Sequence, residues 1–569
     1  MYDLLIKNAR IVDGSGAPSF HGSVAVQGGT IAGVGDIDGS ARRVIDADGL
    51  AVSPGFIDLH THYDAQLMWD PLATSSCWHG ITTILMGNCG FTLAPCKPTA
   101  TDRDYLMGIL ARVEGIRMDV LNKGLGWEWS TFPQYLDRVG RSLGVNVMAQ
   151  IGHSAVRYNV MGGDAYEREA KPDEVARMQA LVREAMAAGA WGFSTSRQIF
   201  DYAMNGKPVP SRLASDAELM ALGCVLKEFG RGILAYNPKN DGTMQTPDNW
   251  PFFAAISKAS GRPVVWNALF YKPERPHGYR DILNAMEDAN WQGGRVYAMG
   301  SCRSIDFDFS FTYTILFQHF SKFGNVVETP DLAERRRLLG DPSLRPALRQ
   351  EFDYLVATTL PRRDLKTVVV REASLPKNKR LEGRYIAEIA AEQHKHPFDA
   401  MLDLAVEENL ATGFAYEGIL NADDDAVTEI LRHPQTIVGV SDAGAHLEFD
   451  PGTDYSTVLL SKWVRERKRL TLEDAVRRLS HMPALVMGLT DRGLIAAGKA
   501  ADIVVFDPDT VAPCAREKVF DLPGNNPRMY HKAQGIHYTV VNGQVLLEHG
   551  VHTGATPGAL LRSGDYSTS

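Results

Sequence analysis

The chain has 569 residues, 44% hydrophobic and 22% charged, the balance of a globular protein, which excludes a disordered, collagen-like or coiled-coil chain. At about 150 residues per domain that length allows three to four domains, although a single α/β barrel can absorb roughly 250 or more. With 59 Lys+Arg against 68 Asp+Glu the net charge is −9, too acidic for a phosphate-binding footprint, so no nucleic-acid partner is expected.

The first residues, Met1-Tyr2-Asp3-Leu4-Leu5-Ile6-Lys7-Asn8, lack a basic segment leading into a long apolar run, and no stretch reaches the ~18 apolar residues of a membrane span. A cytoplasmic protein without a membrane partner is expected. The six cysteines are scattered with no CxxC spacing, so no disulfide framework is expected. Short alternating strands are predicted at 4–7, 9–12, 23–26 and 30–34, separated by turn signals such as Asp13-Gly14-Ser15-Gly16, which lacks Walker spacing and reads as a turn.

From there the pattern changes to apolar runs at 82–86, 145–150, 192–195, 233–236, 263–266, 295–298 and 436–440, alternating with helical periodicity at 172–188, 397–409 and 471–485. Repeated βα units and a parallel sheet follow, with a barrel as the leading architecture. Residues 301–384 break the rhythm with Phe-rich and Arg-rich pieces and read as an insertion covering one barrel end. The C-terminal stretch returns to short strands, with a hairpin around Asn542-Gly543. The expected division is a small β-sandwich domain from residues 1–53 and 490–569, and a (β/α)8 TIM-like barrel over 54–489.

The segment Pro54-Gly55-Phe56-Ile57-Asp58-Leu59-His60-Thr61-His62 carries the chemistry. Residues two apart on a strand share a face, so His60 and His62 can both aim inward from a strand's C-terminal end, where barrel enzymes place their sites. Two such imidazoles can hold a divalent metal; an isolated HxH is equally compatible with two ordinary polar histidines. His153 and Arg157 follow the 145–150 strand and are candidates for substrate binding, against a histidine that only satisfies a loop carbonyl. Ser194-Thr195-Ser196-Arg197 offers hydroxyls at a strand end, but no GxSxG elbow is present.

The β-rich ends, the run from Pro54 to His62, and Gly439-Val440-Ser441-Asp442-Ala443-Gly444-Ala445-His446 resemble the amidohydrolase superfamily. Within it, Gly87-Asn88-Cys89-Gly90, Gly152-His153-Ser154-Ala155-Val156-Arg157 and the closing segment 493–502 are similar to the D-aminoacylase branch, whose members deacylate N-acyl-D-amino acids. The resemblance implies that His60, His62, Cys89 and Asp442 are metal ligands and that Asp442 moves the proton. It implies a metal-dependent hydrolase of an amide-type C–N bond in a small molecule, in a chain that self-associates as such proteins commonly do.

Three positions depart from the branch. Asn237 and Asn267 stand where it places histidine ligands, and Val458 stands where its deacylases place an arginine for the substrate carboxylate. Amide oxygens are weak zinc ligands, so one metal per chain is expected rather than two, zinc if the Cys89 thiolate takes part. Asn237, Asn267 and His446 become candidates for contacting substrate. Loss of the arginine leaves open a lactam, imide or lactone substrate, and a metal-free barrel serving binding or assembly is the reading from another class.

Overall fold

Strands from the two chain ends pair in one nine-stranded sheet. Its order is Val551–His552, Gln544–Glu548, Ile536–Val541, Ile503–Phe506, Ala51–Pro54, Tyr2–Ile11, Phe20–Gln27 and Thr30–Gly35, with Ala41–Asp46 paired to Tyr2–Ile11. The ends join where Ala51–Pro54 runs antiparallel to Ile503–Phe506. One face buries Leu4, Ile6, Val24, Val26, Val52, Ile503, Val505 and Val540, and Leu5, Ala25 and Val504, which alternate with them and so point to the other face, are buried as well. The breaks expected on either side of Asn8 belong to a single strand. Asn8 takes φ +54 and the register against Phe20–Gln27 shifts between Ile6 and Ala9, so a bulge interrupts the alternation without ending the strand.

The computed structural model describes residues 1–240, 248–312, 314, 316, 317, 320–358, 364–449 and 452–566. It forms two compact units, one of Met1–Phe270, His277–Arg303 and Asp425–Ser569, the other of Tyr271–Pro276 and Ser304–Asp424. In the first unit a six-stranded parallel sheet runs in the order Thr436–Val438, Val296–Gly300, Val264–Leu269, Ile233–Asn237, Gly192–Ser196, Ile151–Gly152. A second parallel sheet contains Phe56–Asp58, Ile81–Met86 and Asn146–Ala149. The run expected at 145–150 is the strand Asn146–Ala149, paired with Ile81–Met86, and beyond Gln150 a second short strand, Ile151–Gly152, pairs with Gly192–Ser196. Ile57, Leu85, Met148, Ile233, Ala235, Val265, Met299 and Ile437 from these strands share one apolar cluster.

Helices follow the strands. The helix expected at 471–485 is instead two, Leu472–Leu479 and His481–Met487, broken at Ser480. Pro483 accounts for the break: it has no N–H and its ring would meet the carbonyl four residues back, that of Leu479. Helix Pro172–Ala187 starts with Pro172 in its first turn. The Glu174 carboxylate accepts from Lys171 N at 2.7 Å and from two guanidinium nitrogens of Arg168 at 2.8 Å each. The Arg168 hydrogen bonds, with that from Lys171, hold the Glu174 carboxyl down at about 2. A carboxyl lower in the folded than in the unfolded chain adds stability above its ordinary value, and that contribution is lost as pH falls toward the folded value. Glu174→Gln is therefore expected to lower the urea midpoint at pH 7, and the gap from wild type should narrow as pH drops below 4.5; an equal gap at pH 7 and pH 3.5 would count against the pairing.

The second unit carries a three-stranded antiparallel sheet, Ile305–Phe309, Gly413–Leu420 and Val368–Glu372, with helices that include Arg345–Thr358 and Pro397–Glu407. Residues 304–384 of the irregular stretch lie in it. Its Phe-rich composition has a packing reason: Phe309, Phe311, Phe317, Phe323, Phe352, Phe398 and Phe414 form a chain of ring contacts, which supplies apolar area where sheet and helices are short. No helix among the described residues is long and apolar enough to cross a membrane, and all six cysteines are free thiols.

Candidate metal centre

His60 and His62 lie just beyond the strand Phe56–Asp58, and the 441–443 segment is laced to them. Ser441 Oγ donates to the His60 carbonyl at 3.0 Å and His62 N donates to the Ala443 carbonyl at 2.7 Å. Between these two bonds sits Asp442 at φ +50, a left-handed conformation that aspartate tolerates better than most residues. The turn brings Asp442 Oδ1 to 2.9 Å from His60 Nε2 and 3.7 Å from His62 Nε2. Gly444 lets the segment lie this close: at φ +91, a Cβ there would fall 2.6 Å from the His62 carbonyl carbon.

Cys89 enters from the next strand. Ile81–Met86 ends in the tight turn Asn88–Gly90, where Asn88 Nδ2 donates to the Thr61 and Leu85 carbonyls at 3.2 and 2.9 Å. Cys89 Sγ then stands 3.6 Å from His60 Nε2 and 3.8 Å from His62 Nε2. The ligand atoms of His60, His62 and Cys89 all lie within 4.8 Å of one another, and the three residues are buried.

Burial opposes ionisation of Asp442, but hydrogen bonds and charge from His60 and His62 outweigh it and hold this carboxyl well below the usual range. Burial works against protonating His60 too, yet the Asp442 hydrogen bond raises it above its ordinary value. His62 is pushed down to about 4 by burial, helped by the neighbouring His60 and His446 rings. Burial, then the carboxylates of Glu114, Asp442 and Asp201, push the Cys89 thiol well above its ordinary value. Desolvation also raises Asp58 to about 6. Two imidazoles, a thiol and a carboxylate this close together form a donor set suited to a divalent cation.

The other candidates divide. Asn237, at the end of its strand, and Asn267, within the neighbouring strand Val264–Leu269, lie side by side, each 5% exposed, with Asn267 Nδ2 donating to Asn237 Oδ1 at 3.0 Å. Asn267 lies beside His60, and Asn237 beside Cys89. His446 shares the Asp442 segment, and its N–H donates to the Glu114 carbonyl at 2.7 Å. His153 and Arg157, by contrast, are committed to protein partners. His153 Nδ1 meets Thr195 Oγ1 and its Nε2 meets Glu218 Oε1, both at 2.9 Å. Arg157 pairs with Glu218 and donates to the Ala165 and Arg168 carbonyls at 3.3 and 2.9 Å. These three side chains are at most 1% exposed.

Sequence reasoning missed two carboxylates here. Glu218 is the common partner of His153 and Arg157, 65 and 61 residues along the chain. Glu114 Oε1 lies 3.5 Å from His62 Nδ1. Neither carries a local signature: each is one acidic residue on or at the end of a helix, and only the fold gives it a partner.

A profile of the amidohydrolase family matches residues 43–301 and 339–547. An N-acyl-D-aspartate deacylase of Alcaligenes xylosoxydans xylosoxydans is 30% identical over 99% of this chain and 95% of its own length; a D-aminoacylase from the same organism is 28% identical over 98% and 97%. Among solved structures, a D-aminoacylase described as having a binuclear metal centre, with one metal activating and the second attenuating, is 28% identical with a TM-score of 0.67, covering 99% of this chain and 100% of that chain. An N-acyl-D-glutamate deacylase from Bordetella bronchiseptica, complexed with zinc and a phosphonate inhibitor, is 26% identical with a TM-score of 0.66, covering 99% of each. The chain belongs to the amidohydrolase family, in its D-aminoacylase-like branch, and is a metal-dependent hydrolase of amide-type carbon–nitrogen bonds other than peptide bonds.

Proposed function

We propose that the parallel strands close into one (β/α)8 barrel and that one divalent metal, zinc, is held at its C-terminal mouth by His60, His62, Cys89 and Asp442. Support for the barrel comes from the continuity of the two half-strands at 146–152 and from a parallel bridge between Thr61 and Ala443. Support for the centre comes from His60, His62 and Cys89, whose ligand atoms all lie within 4.8 Å of one another, with Asp442 beside both imidazoles. Ligands about 2.0–2.3 Å from a tetrahedral ion stand roughly 3.3–3.8 Å apart; the Cys89–His60, Cys89–His62 and Asp442–His62 separations are 3.6, 3.8 and 3.7 Å, and Asp442 stands closer to His60, at 2.9 Å. Thiolate with imidazole favours zinc over harder ions. The side chains at Asn237 and Asn267 offer amide oxygens, which are weak zinc ligands, a poor place for a second metal.

When bound, the metal supplies Lewis acidity, polarising the amide carbonyl and making water more acidic. Asp442 accepts a proton as the water oxygen attacks the acyl carbon. It returns that proton to the nitrogen as the C–N bond breaks, releasing an amine and a carboxylic acid. The observation that carries this reading is the contact of one carboxylate with both imidazoles. Val458 in place of the deacylases' arginine favours a second reading for the substrate, a lactam or imide without a free carboxylate, since an apolar side chain cannot replace a bidentate anchor.

A panel of N-acyl-D-amino acids, neutral linear amides, lactams and imides, incubated with zinc-loaded protein, tests both. Amine release from linear amides supports the first reading and ring opening alone the second. No C–N cleavage of any member would contradict both.

A further inference from the structure

Glu114 caps the C-terminal end of helix Ala100–Val113, and the chain leaves it through Gly115 at φ +65. Its carboxylate, 5% exposed, stands 3.5 Å from His62 Nδ1. That ring nitrogen is buried and has no hydrogen bond of ordinary length among the described residues. The opposite nitrogen, Nε2, faces Cys89 Sγ and Asp442 Oδ1. A neutral imidazole carries one N–H, and the nitrogen without it is the one free to bind a metal. The group behind His62 therefore decides which nitrogen is offered to the cluster.

Glu114 also reaches the other side of the centre. Its main-chain carbonyl takes the His446 N–H at 2.7 Å, and the next residue lies so near that a Cβ on Gly115 would sit 3.2 Å from His446 Nδ1. One residue thus touches the His62 ring from behind and fastens the segment that carries Asp442.

We propose that Glu114 is a positioning residue for the metal centre, accepting the Nδ1–H of His62 so that Nε2 is the ligand atom, while its carbonyl holds the 442–446 segment against the same ring. The proposal rests on the reading that His62 and Asp442 hold the metal. It does not depend on the charge of Glu114, since an ionised or a protonated carboxyl each has an oxygen to accept the bond. A side chain at Gly115 would be strained at φ +65 and would need His446 to give by a few tenths of an ångström.

Zinc affinity, measured by chelator competition on the full chain, compares wild type with Glu114→Ala, Glu114→Gln and His62→Ala, thermal melts confirming that each is folded. Glu114→Ala is expected to weaken zinc about 10–100-fold, and Glu114→Gln, whose amide oxygen still accepts, to recover most of the loss. Long-range imidazole NMR of the zinc-loaded wild type should show His62 coordinated through Nε2 with a downfield Nδ1–H that Glu114→Ala shifts upfield. The spectrum keeps the test open even if the alanine variant does not fold: coordination of His62 through Nδ1 in wild type overturns the proposal. So does zinc bound as tightly by Glu114→Ala as by wild type when His62→Ala has lost it. If His62→Ala binds zinc like wild type, the four-ligand reading itself fails and this proposal falls with it.

Discussion

Asp442→Asn is expected to lower kcat by about 10²–10⁴-fold, the usual worth of a positioned proton carrier. Asparagine is the sharpest substitution because it keeps the size of the side chain and tolerates the φ of +50, so the backbone turn beside the histidines survives. It cannot accept the proton of the attacking water, and its amide oxygen is a weaker metal ligand than a carboxylate. Zinc affinity should fall as well, so the rate must be measured at saturating zinc, where the loss that remains belongs to proton transfer. A kcat within tenfold of wild type under that condition would remove Asp442 from the chemistry.

Glu218→Ala is expected to destabilise the fold by about 3–5 kcal/mol, the cost of leaving a buried charge without its partner. The Arg157 guanidinium would lose its only anionic contact among the described residues and keep the two carbonyls of Ala165 and Arg168, and His153 would lose the acceptor at 2.9 Å. With two compact units the chain need not unfold in one step, so the readout is the first thermal transition together with activity per mole of folded protein below it. A lowered transition with unchanged KM supports a structural role for His153, Arg157 and Glu218. An unchanged transition with a raised KM would instead return His153 and Arg157 to substrate binding.

These two residues mark where the amino-acid pattern stops being informative. His153 and Arg157 look like site residues because they follow a strand; what assigns them elsewhere is a glutamate more than 60 residues away. Glu114 escapes notice for the same reason. The His60–His62 pair was legible because alternate residues of a strand share a face, and Asp442 and Cys89 were legible through motif resemblance. The break at Ser480 was hidden because Pro483 sits inside an otherwise regular apolar stripe. The opposite error arose at Asn8, where one residue of positive φ interrupts the alternation but leaves the strand continuous. Local pattern thus located the strands and the cluster at their ends, whereas partners distant in sequence, which no local pattern encodes, decide how each polar side chain is used.

Elemental analysis of protein purified without chelator, for wild type, His60→Ala and Cys89→Ala, tests the central claim most directly. One divalent metal per chain, zinc by identity, greatly reduced in both variants, is the expected result. Two metals per chain, or one that persists undiminished in both variants, would contradict a single centre built on His60, His62, Cys89 and Asp442.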